Sequence, residues 1–278
     1  MSEDWTDSIA TIGSTTPLSV ILHIGAGSGA DLKACLETGA GSVIAVEPDP
    51  VSLADLERGA AGETRVRVLP VAVTEGPAQR AAFHVYNMAC LSGLKPPQGL
   101  EELLPGLKET ARPVVSTRDA ADLLSECFPQ AARQDDSHPP GLLIIDAPSS
   151  AAQVVRALIS AGLTRQFWHI LLRAPEEAYW PQSDSAEGLL RLLGEAGYRV
   201  QERDDDDPDF PRLRLALDPL AEHADSLARQ NAALQQRVEE LEAAIEEKEM
   251  RLQAMRQELN RFEGQMDLLE RILLRDDG

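Results

Sequence analysis

The residues best suited to chemistry form the segment H-I-G-A-G-S-G, His23 to Gly29, which follows the apolar run at 19–22. Glycines at every second position let a ligand approach the backbone more closely than a Cβ would allow. A glycine turn between a strand and a helix also presents backbone N–H groups to a ligand. Glu47 ends the next apolar run, where a carboxylate can accept both hydroxyls of a ribose. The spacing therefore predicts a site for a nucleoside cofactor.

Two cofactors fit this turn. Gly25, Gly27 and Ala30 satisfy the dinucleotide fingerprint, whose third position is Gly or Ala. Gly25, Gly27 and Gly29 equally form the G-x-G-x-G turn of methyltransferases that use S-adenosylmethionine (SAM). The end of the domain favours the methyltransferase, because Tyr198–Gln201 and Arg212–Leu217 read as a hairpin of a sixth strand and an antiparallel seventh.

The elements that must position these residues alternate between strand and helix from about residue 19 to 217. This alternation predicts an α/β domain, a Rossmann-like seven-stranded sheet with helices on both faces. Val71 to Val115 reads as a less regular insertion with a short strand at Ala82–Tyr86. The predicted strands are Val20–Ile24, Ser42–Val46, Arg65–Leu69, Leu142–Asp146, Phe167–Leu172, Tyr198–Gln201 and Arg212–Leu217, and the predicted helices are Ala30–Thr38, Val51–Ala60, Thr117–Phe128, Ala151–Ala161 and Ala186–Ala196.

Charge and composition exclude several classes of function. The 278 residues carry a formal charge of −20, which disfavours nucleic acid because binding to phosphates needs Lys and Arg. Three cysteines at no metal-like spacing read as reduced thiols, and neither a signal peptide nor a membrane span is visible, so we expect a cytoplasmic protein without a metal site. Polar residues at 130–140 and 204–211 predict surface loops, and the four aspartates at 204–207 read as a solvated hairpin tip.

A different pattern begins after residue 217 and predicts a coiled-coil stalk over 218–276, with 1–18 as an N-terminal extension. Positions spaced 3 and 4 apart from Leu220 to Leu273 are apolar except Asn231 and Lys248. The a positions Val238 and Ile245 are β-branched and the d positions hold leucine, a pattern that favours a parallel two-stranded coil. The sequence thus predicts a homodimer through residues 220–273.

Residues 19–217 resemble the FkbM-like family of SAM-dependent methyltransferases. The segments that carry the resemblance are V-I-A-V-E-P-D-P at 43–50, L-P-V-A-V-T-E-G at 69–76, F-H-V-Y-N-M-A-C-L-S-G-L at 83–94, V-V-S-T-R-D-A-A-D-L-L at 114–124 and L-L-I-I-D-A-P at 142–148.

This resemblance implies S-adenosylmethionine as cofactor and a sugar or small-molecule hydroxyl as acceptor, in bacterial surface-polysaccharide synthesis. It assigns Asp146 to the neighbourhood of the transferred methyl group, where it would orient or deprotonate the acceptor, contact the cofactor, or only cap the next helix. His84 is the second catalytic candidate, Asn87 and Ser92 are expected near the same cleft, and His169 reads as a core histidine. The cofactor-binding candidates are His23, Gly25, Ala26, Gly27, Gly29, Glu47, Pro48, Val71, Ala72 and Asp146.

Two other functions remain open from the sequence. His23 stands where such enzymes usually have an acidic residue, and Ala147–Ala151 replaces a segment with a second carboxylate. The chain therefore also fits a non-catalytic scaffold whose coiled coil recruits glycosyltransferase or membrane partners. An NAD-dependent oxidoreductase is the third alternative.

Overall fold

The computed structural model describes residues 5–100, 104–128 and 139–273, and from residue 219 onward it describes the backbone and only part of the side chains. The chain divides into two compact units at Pro219–Leu220. Of the surface loop predicted at 130–140, only residues 139 and 140 are among the described residues. Residues 1–4 of the predicted extension and residues 274–276 of the predicted stalk also lie outside them.

Within the described residues of the first unit, twelve strands form the sheets. Three of them, at 20–24, 42–46 and 212–217, have the predicted bounds. In chain order the strands are β1 (Val20–Ile24), β2 (Ser42–Val46), β3 (Val66–Leu69), β4 (Val71–Thr74), β5 (Arg80–Ala82), β6 (Val85–Tyr86), β7 (Glu109–Ala111), β8 (Val114–Asp119), β9 (Gly141–Ile145), β10 (Phe167–Arg173), β11 (Tyr198–Asp204) and β12 (Arg212–Leu217).

The central sheet has seven strands in the order β3-β2-β1-β9-β10-β12-β11. Its strands are parallel except β12, which runs antiparallel between β10 and β11. This order confirms the predicted α/β sheet and the predicted terminal hairpin. The chain reverses its direction of winding at β1, and such a switch point is where open α/β sheets leave a crevice at the carboxyl ends of their strands.

Helices cover both faces of this sheet, as predicted. The face with Leu22 and Leu143 packs against helices rich in Leu and Val, and the face with Ile21 and Ile144 packs against the N-terminal helices. The helices are α1 (Thr6–Thr15), α2 (Leu32–Glu37), α3 (Pro50–Ala60), α4 (Ala120–Glu126), α5 (Ala151–Ser160), α6 (Ala186–Glu195) and, in the second unit, α7 (Pro219–Leu273).

Several predictions of secondary structure are wrong in detail. Thr117–Asp119 ends strand β8 and does not begin a helix, because the Asp119 carboxylate accepts the N–H groups of Ala121 and Asp122 and so caps α4. The single strand predicted at Ala82–Tyr86 is two strands, β5 and β6. The insertion also contains β4, β7 and β8, which form small sheets of three and two strands with β5 and β6.

Helix α7 is a single uninterrupted helix of 55 residues. Its apolar heptad positions face solvent in the single chain, with Leu234 63% exposed and Ile245 55% exposed. Among the described residues, no helix combines the length and apolar character that crossing a bilayer requires.

Candidate functional site

A cavity of 1020 Å³ lies at the carboxyl ends of the central strands. Its volume lies at the upper end of the range of ~300–1,000 Å³ that is usual for ligand sites. Its lining includes His23 to Gly27 at the end of β1 and after it, Glu47 to Asp49 after β2, and Asp146 after β9. Strand β4 of the three-stranded sheet adds Val71 to Thr74.

The backbone geometry of the turn accounts for the glycines at positions 25 and 27. Gly25 has a φ of +82°, and a Cβ there would lie 2.5 Å from the backbone oxygen of Asp146. Gly27 has a φ of +54°, and a Cβ there would meet nothing within 4 Å. The first glycine thus allows the turn to pack against the end of β9, and the second keeps the backbone open toward the cavity.

Glu47 is tied to the turn by hydrogen bonds. Its Oε2 accepts the N–H of Gly27 and its Oε1 accepts the N–H of Asp49, each at 2.8 Å. The side chain is 7% exposed, and burial raises the pKa of its carboxyl to about 7 although both N–H groups favour the charged form. A ligand that donates further hydrogen bonds to this carboxylate would stabilise its charged form and lower that pKa.

Asp146 is held by an arginine that the sequence analysis did not single out. Nε of Arg173, the last residue of β10, donates to Oδ1 of Asp146 at 2.5 Å. Both side chains line the cavity. The sequence did contain a signal for this arginine. It is a basic residue at the end of an otherwise apolar strand, next to the strand that ends at the predicted aspartate.

His23 is buried and neutral at the base of the cavity. Burial lowers the pKa of its imidazole to about 4, and the nearby charge of Asp146 only partly opposes this. Its Nε2 is buried and has no hydrogen-bond partner among the residues that the structure describes. A buried polar nitrogen without a partner is costly, so a ligand that bonds to it would recover free energy.

The remaining predicted residues divide into those that line the cavity and those that do not. Gly29 does not line it, and a Cβ there would lie 2.9 Å from Leu56. His169 is half-buried, with its Nε2 3.1 Å from the hydroxyl of Thr16. The residues that do line it are Ala26, Pro48, Val71, Ala72, Asn87 and Ser92.

His84, predicted at the cleft, does not line the cavity. Phe83 and Val85 line the cavity and His84 does not, because successive side chains of an extended segment point to opposite sides. Its Nδ1 instead lies 3.3 Å from a carboxylate oxygen of Glu109, away from the cavity.

Sequence reasoning missed the residues at the far end of the cavity. They come from loops: Lys95, Trp180, Gln182 and Asp207. Burial raises the pKa of the Cys90 thiol beside them to about 11, so this cysteine is not a reactive thiolate at neutral pH.

Comparison with known proteins finds solved structures at low sequence identity and low TM-score. No family model and no curated protein sequence matches the chain. Similar solved structures include magnesium protoporphyrin IX methyltransferase from Synechocystis with bound SAM, at 12% identity over 77% of this chain and 78% of that chain with a TM-score of 0.39. Ribosomal protein L11 methylase from Lactobacillus delbrueckii is similar at 12% identity over 76% of this chain and 78% of that chain, with a TM-score of 0.37.

Proposed function

We propose that residues 19–217 form a SAM-dependent methyltransferase that acts on a sugar hydroxyl, and that two chains associate in parallel through residues 220–273. SAM supplies an electrophilic methyl group on a positively charged sulfur. The methyl carbon would leave the sulfur, which keeps the electron pair, and bond to the acceptor oxygen, whose proton passes to water.

The charge of the cavity carries this proposal. Among the described residues, six acidic and two basic side chains line it, namely Asp31, Glu47, Asp49, Glu75, Asp146 and Asp207 against Lys95 and Arg173. SAM has one net positive charge, whereas the pyrophosphate of NAD has two negative charges. The cavity therefore suits the first cofactor and repels the second.

The glycine turn argues in the same direction. In a dinucleotide site the N–H groups of the turn and the following helix must face the pyrophosphate. Here the N–H of Gly27 donates to the Glu47 carboxylate, and the following helix α2 has only six residues. Both features disfavour a phosphate ligand at the turn.

The residues present fit SAM in other respects. Glu47 would accept the ribose hydroxyls, while the Gly25–Gly27 turn and the unpartnered Nε2 of His23 would meet the methionine part. Pro48 and Val71–Ala72 would border the adenine, as the family resemblance implies.

Asp146 fits an orienting role better than that of a proton acceptor. Its Oδ1 already accepts a hydrogen bond from Nε of Arg173, which fixes the orientation of the carboxylate. The choice of a sugar as acceptor, and a role in polysaccharide synthesis, depend on the family resemblance alone.

The dimer is supported by helix α7. Its exposed a and d positions would bury a continuous apolar stripe against a second copy, with the Asn231 residues of the two chains opposite each other. β-branched residues at a and leucine at d favour the parallel two-stranded form.

A non-catalytic scaffold is the second candidate. The same exposed stripe, together with the neutral His23 beside the turn, supports a protein whose helix recruits glycosyltransferase or membrane partners. The two candidates differ in cofactor binding.

Isothermal titration of the full chain with SAM, S-adenosylhomocysteine (SAH) and NAD separates the candidates. The methyltransferase predicts micromolar binding of SAM and SAH and no binding of NAD. Binding of NAD alone would favour the oxidoreductase, and no binding of any of the three would favour the scaffold.

A further inference from the structure

The far end of the cavity is built from three loop segments, Met88–Lys95, Trp180–Gln182 and the turn at Asp207. A buried cluster holds these segments together. The ring centroids of Tyr179 and Phe210 lie 5.6 Å apart and those of Trp180 and Phe210 6.3 Å apart, packed with Leu91 and Leu100. The far end is therefore a packed wall of the cavity.

Two polar groups on this wall lack the partner that burial or charge would call for. The side chain of Trp180 lines the cavity, and its buried indole nitrogen Nε1 has no hydrogen-bond partner in the described parts of the chain. Oδ1 of Asp207 accepts the N–H groups of Asp209 and Phe210, at 3.1 and 3.2 Å. Within the part of the chain that the structure describes, no cation lies within 4.0 Å of the Asp207 carboxylate. This end thus holds a buried donor without a partner and a carboxylate without a cationic partner among the described residues.

Gln182 completes this end in a strained conformation. Among the described residues, Gln182 is the one non-glycine residue with a positive φ, at +67°. Its backbone oxygen accepts Nη1 of Arg156 at 3.3 Å, and its side-chain oxygen accepts Nζ of Lys95 at 3.0 Å. A strained backbone conformation of this kind persists only where the surrounding structure holds the residue in place, and such residues cluster at ligand sites.

The charges that line the cavity do not cancel. Asp146 is neutralised by Arg173, and the positive charge of Lys95 lies on an exposed side chain bonded to a neutral amide. Asp207 adds a negative charge to a cavity that already has an excess of acidic residues.

We propose that the far end is the acceptor subsite, that it takes an uncharged hydroxyl-bearing acceptor, and that Asp207 is its specificity-determining residue. This inference rests on the proposed methyltransferase function. The Trp180 N–H would donate to an acceptor oxygen and the Asp207 carboxylate would accept from a hydroxyl. An acceptor with a phosphate or carboxylate would be repelled by Asp207 and by the net charge of the cavity.

The same charge discriminates between cofactor and product. SAM and SAH differ at the sulfur, which is positively charged in SAM and neutral in SAH. A carboxylate without a cationic partner in the same cavity therefore strengthens the binding of SAM relative to SAH. The discrimination can be measured without knowing the acceptor.

The experiment compares the SAH/SAM ratio of dissociation constants for the wild type, Asp207→Asn and Asp206→Asn by isothermal titration. The Asp207→Asn substitution keeps a side-chain oxygen that can still accept the two backbone N–H groups, and thermal unfolding checks that the variant folds. Asp206 is an exposed neighbour in the same turn that does not line the cavity, so its substitution makes the same change of charge.

We expect the wild type to bind SAM about fivefold more tightly than SAH at 50 mM salt, and we expect this preference to shrink at 500 mM salt. Asp207→Asn should lower the preference about two- to threefold, and Asp206→Asn should leave it unchanged. Equal binding of SAM and SAH by the wild type, or equal effects of both substitutions, would overturn the inference and leave the methyltransferase intact. Failure of both ligands to bind would instead overturn the proposed function.

Discussion

The two units of the chain differ in how far their apolar side chains are buried. In the α/β unit, Ile21 and Leu143 are fully buried between the sheet and its helices. In helix α7, Leu241 and Leu259 recur with equal regularity but are 48% and 59% exposed. The apolar side chains of the α/β unit pack against other elements of the same unit. The apolar side chains of helix α7 have no packing partner within their own helix.

The difference shows what periodicity determines and what it leaves to association. Burying a large apolar side chain contributes ~1.5–3 kcal/mol in either setting. The alternation of strands and helices allows this burial within one chain, whereas a lone helix with a straight apolar stripe requires a second helix. We therefore expect substitutions in the two units to affect different measurements.

The largest expected effect is the loss of the dimer. Charged residues at seam positions, Leu234→Asp with Ile245→Asp, should convert a dimer into a monomer, because two carboxylates from each chain would be buried against an apolar seam. Light scattering measures the mass. The matched control, Gln236→Asp with Ala243→Asp, places the same groups at f positions and should remain dimeric. A wild-type monomer would contradict the seam, and a dimeric seam variant would place the interface elsewhere.

The next effect separates the core of the α/β unit from the helix. Leu143→Ala should lower the free energy of unfolding of the α/β unit by about 2–5 kcal/mol, because Leu143 is fully buried in the central strand β9. Leu252→Ala should leave that free energy unchanged and weaken only association. Urea denaturation monitored by tryptophan fluorescence reports on the α/β unit, which contains all three tryptophans. Equal destabilisation by both variants would argue against the comparison.

The smallest effect is a dependence of SAM affinity on pH. Glu47 has a pKa of about 7 in the free protein, and ribose hydroxyls would stabilise its charged form and lower that pKa. Binding then releases a proton, so affinity should rise about fivefold from pH 6 to pH 8 and level off above. Titrations across this range measure it, with Glu47→Gln as the variant that should lose the dependence. A wild-type affinity that falls with rising pH would contradict this role of Glu47.

The central strands could be predicted because their signals are local. Val20–Ile24 is an apolar run that stops at a glycine, and its bounds agree with the structure. The helix predicted from Thr117 began three residues too early because Asp119 was taken as an interior residue and not as an N-cap. Helix α1 was missed because only Ile9 and Ile12 of its ten residues are buried, so its apolar pattern is short.

The candidate site divides in the same manner. Glu47 and Asp146 could be predicted to approach the glycine turn because the carboxyl ends of neighbouring parallel strands meet at one edge of a sheet. Trp180 and Asp207 could not, since their positions depend on a buried aromatic cluster that joins segments far apart in the chain. His84 was predicted at the cleft, but its neighbours Phe83 and Val85 line the cavity, because side chains alternate between the two sides of an extended segment.

The most direct test of the proposed methyltransferase is the titration of SAM into Glu47→Ala beside Glu63→Ala. Glu63 is exposed and does not line the cavity, so its substitution makes the same chemical change without touching the site. Glu47→Ala should weaken SAM binding at least about tenfold, since it removes charged hydrogen bonds to the ribose, and Glu63→Ala should bind as the wild type does. Wild-type affinity for SAM in Glu47→Ala would contradict an adenosine site at the ends of the first two strands.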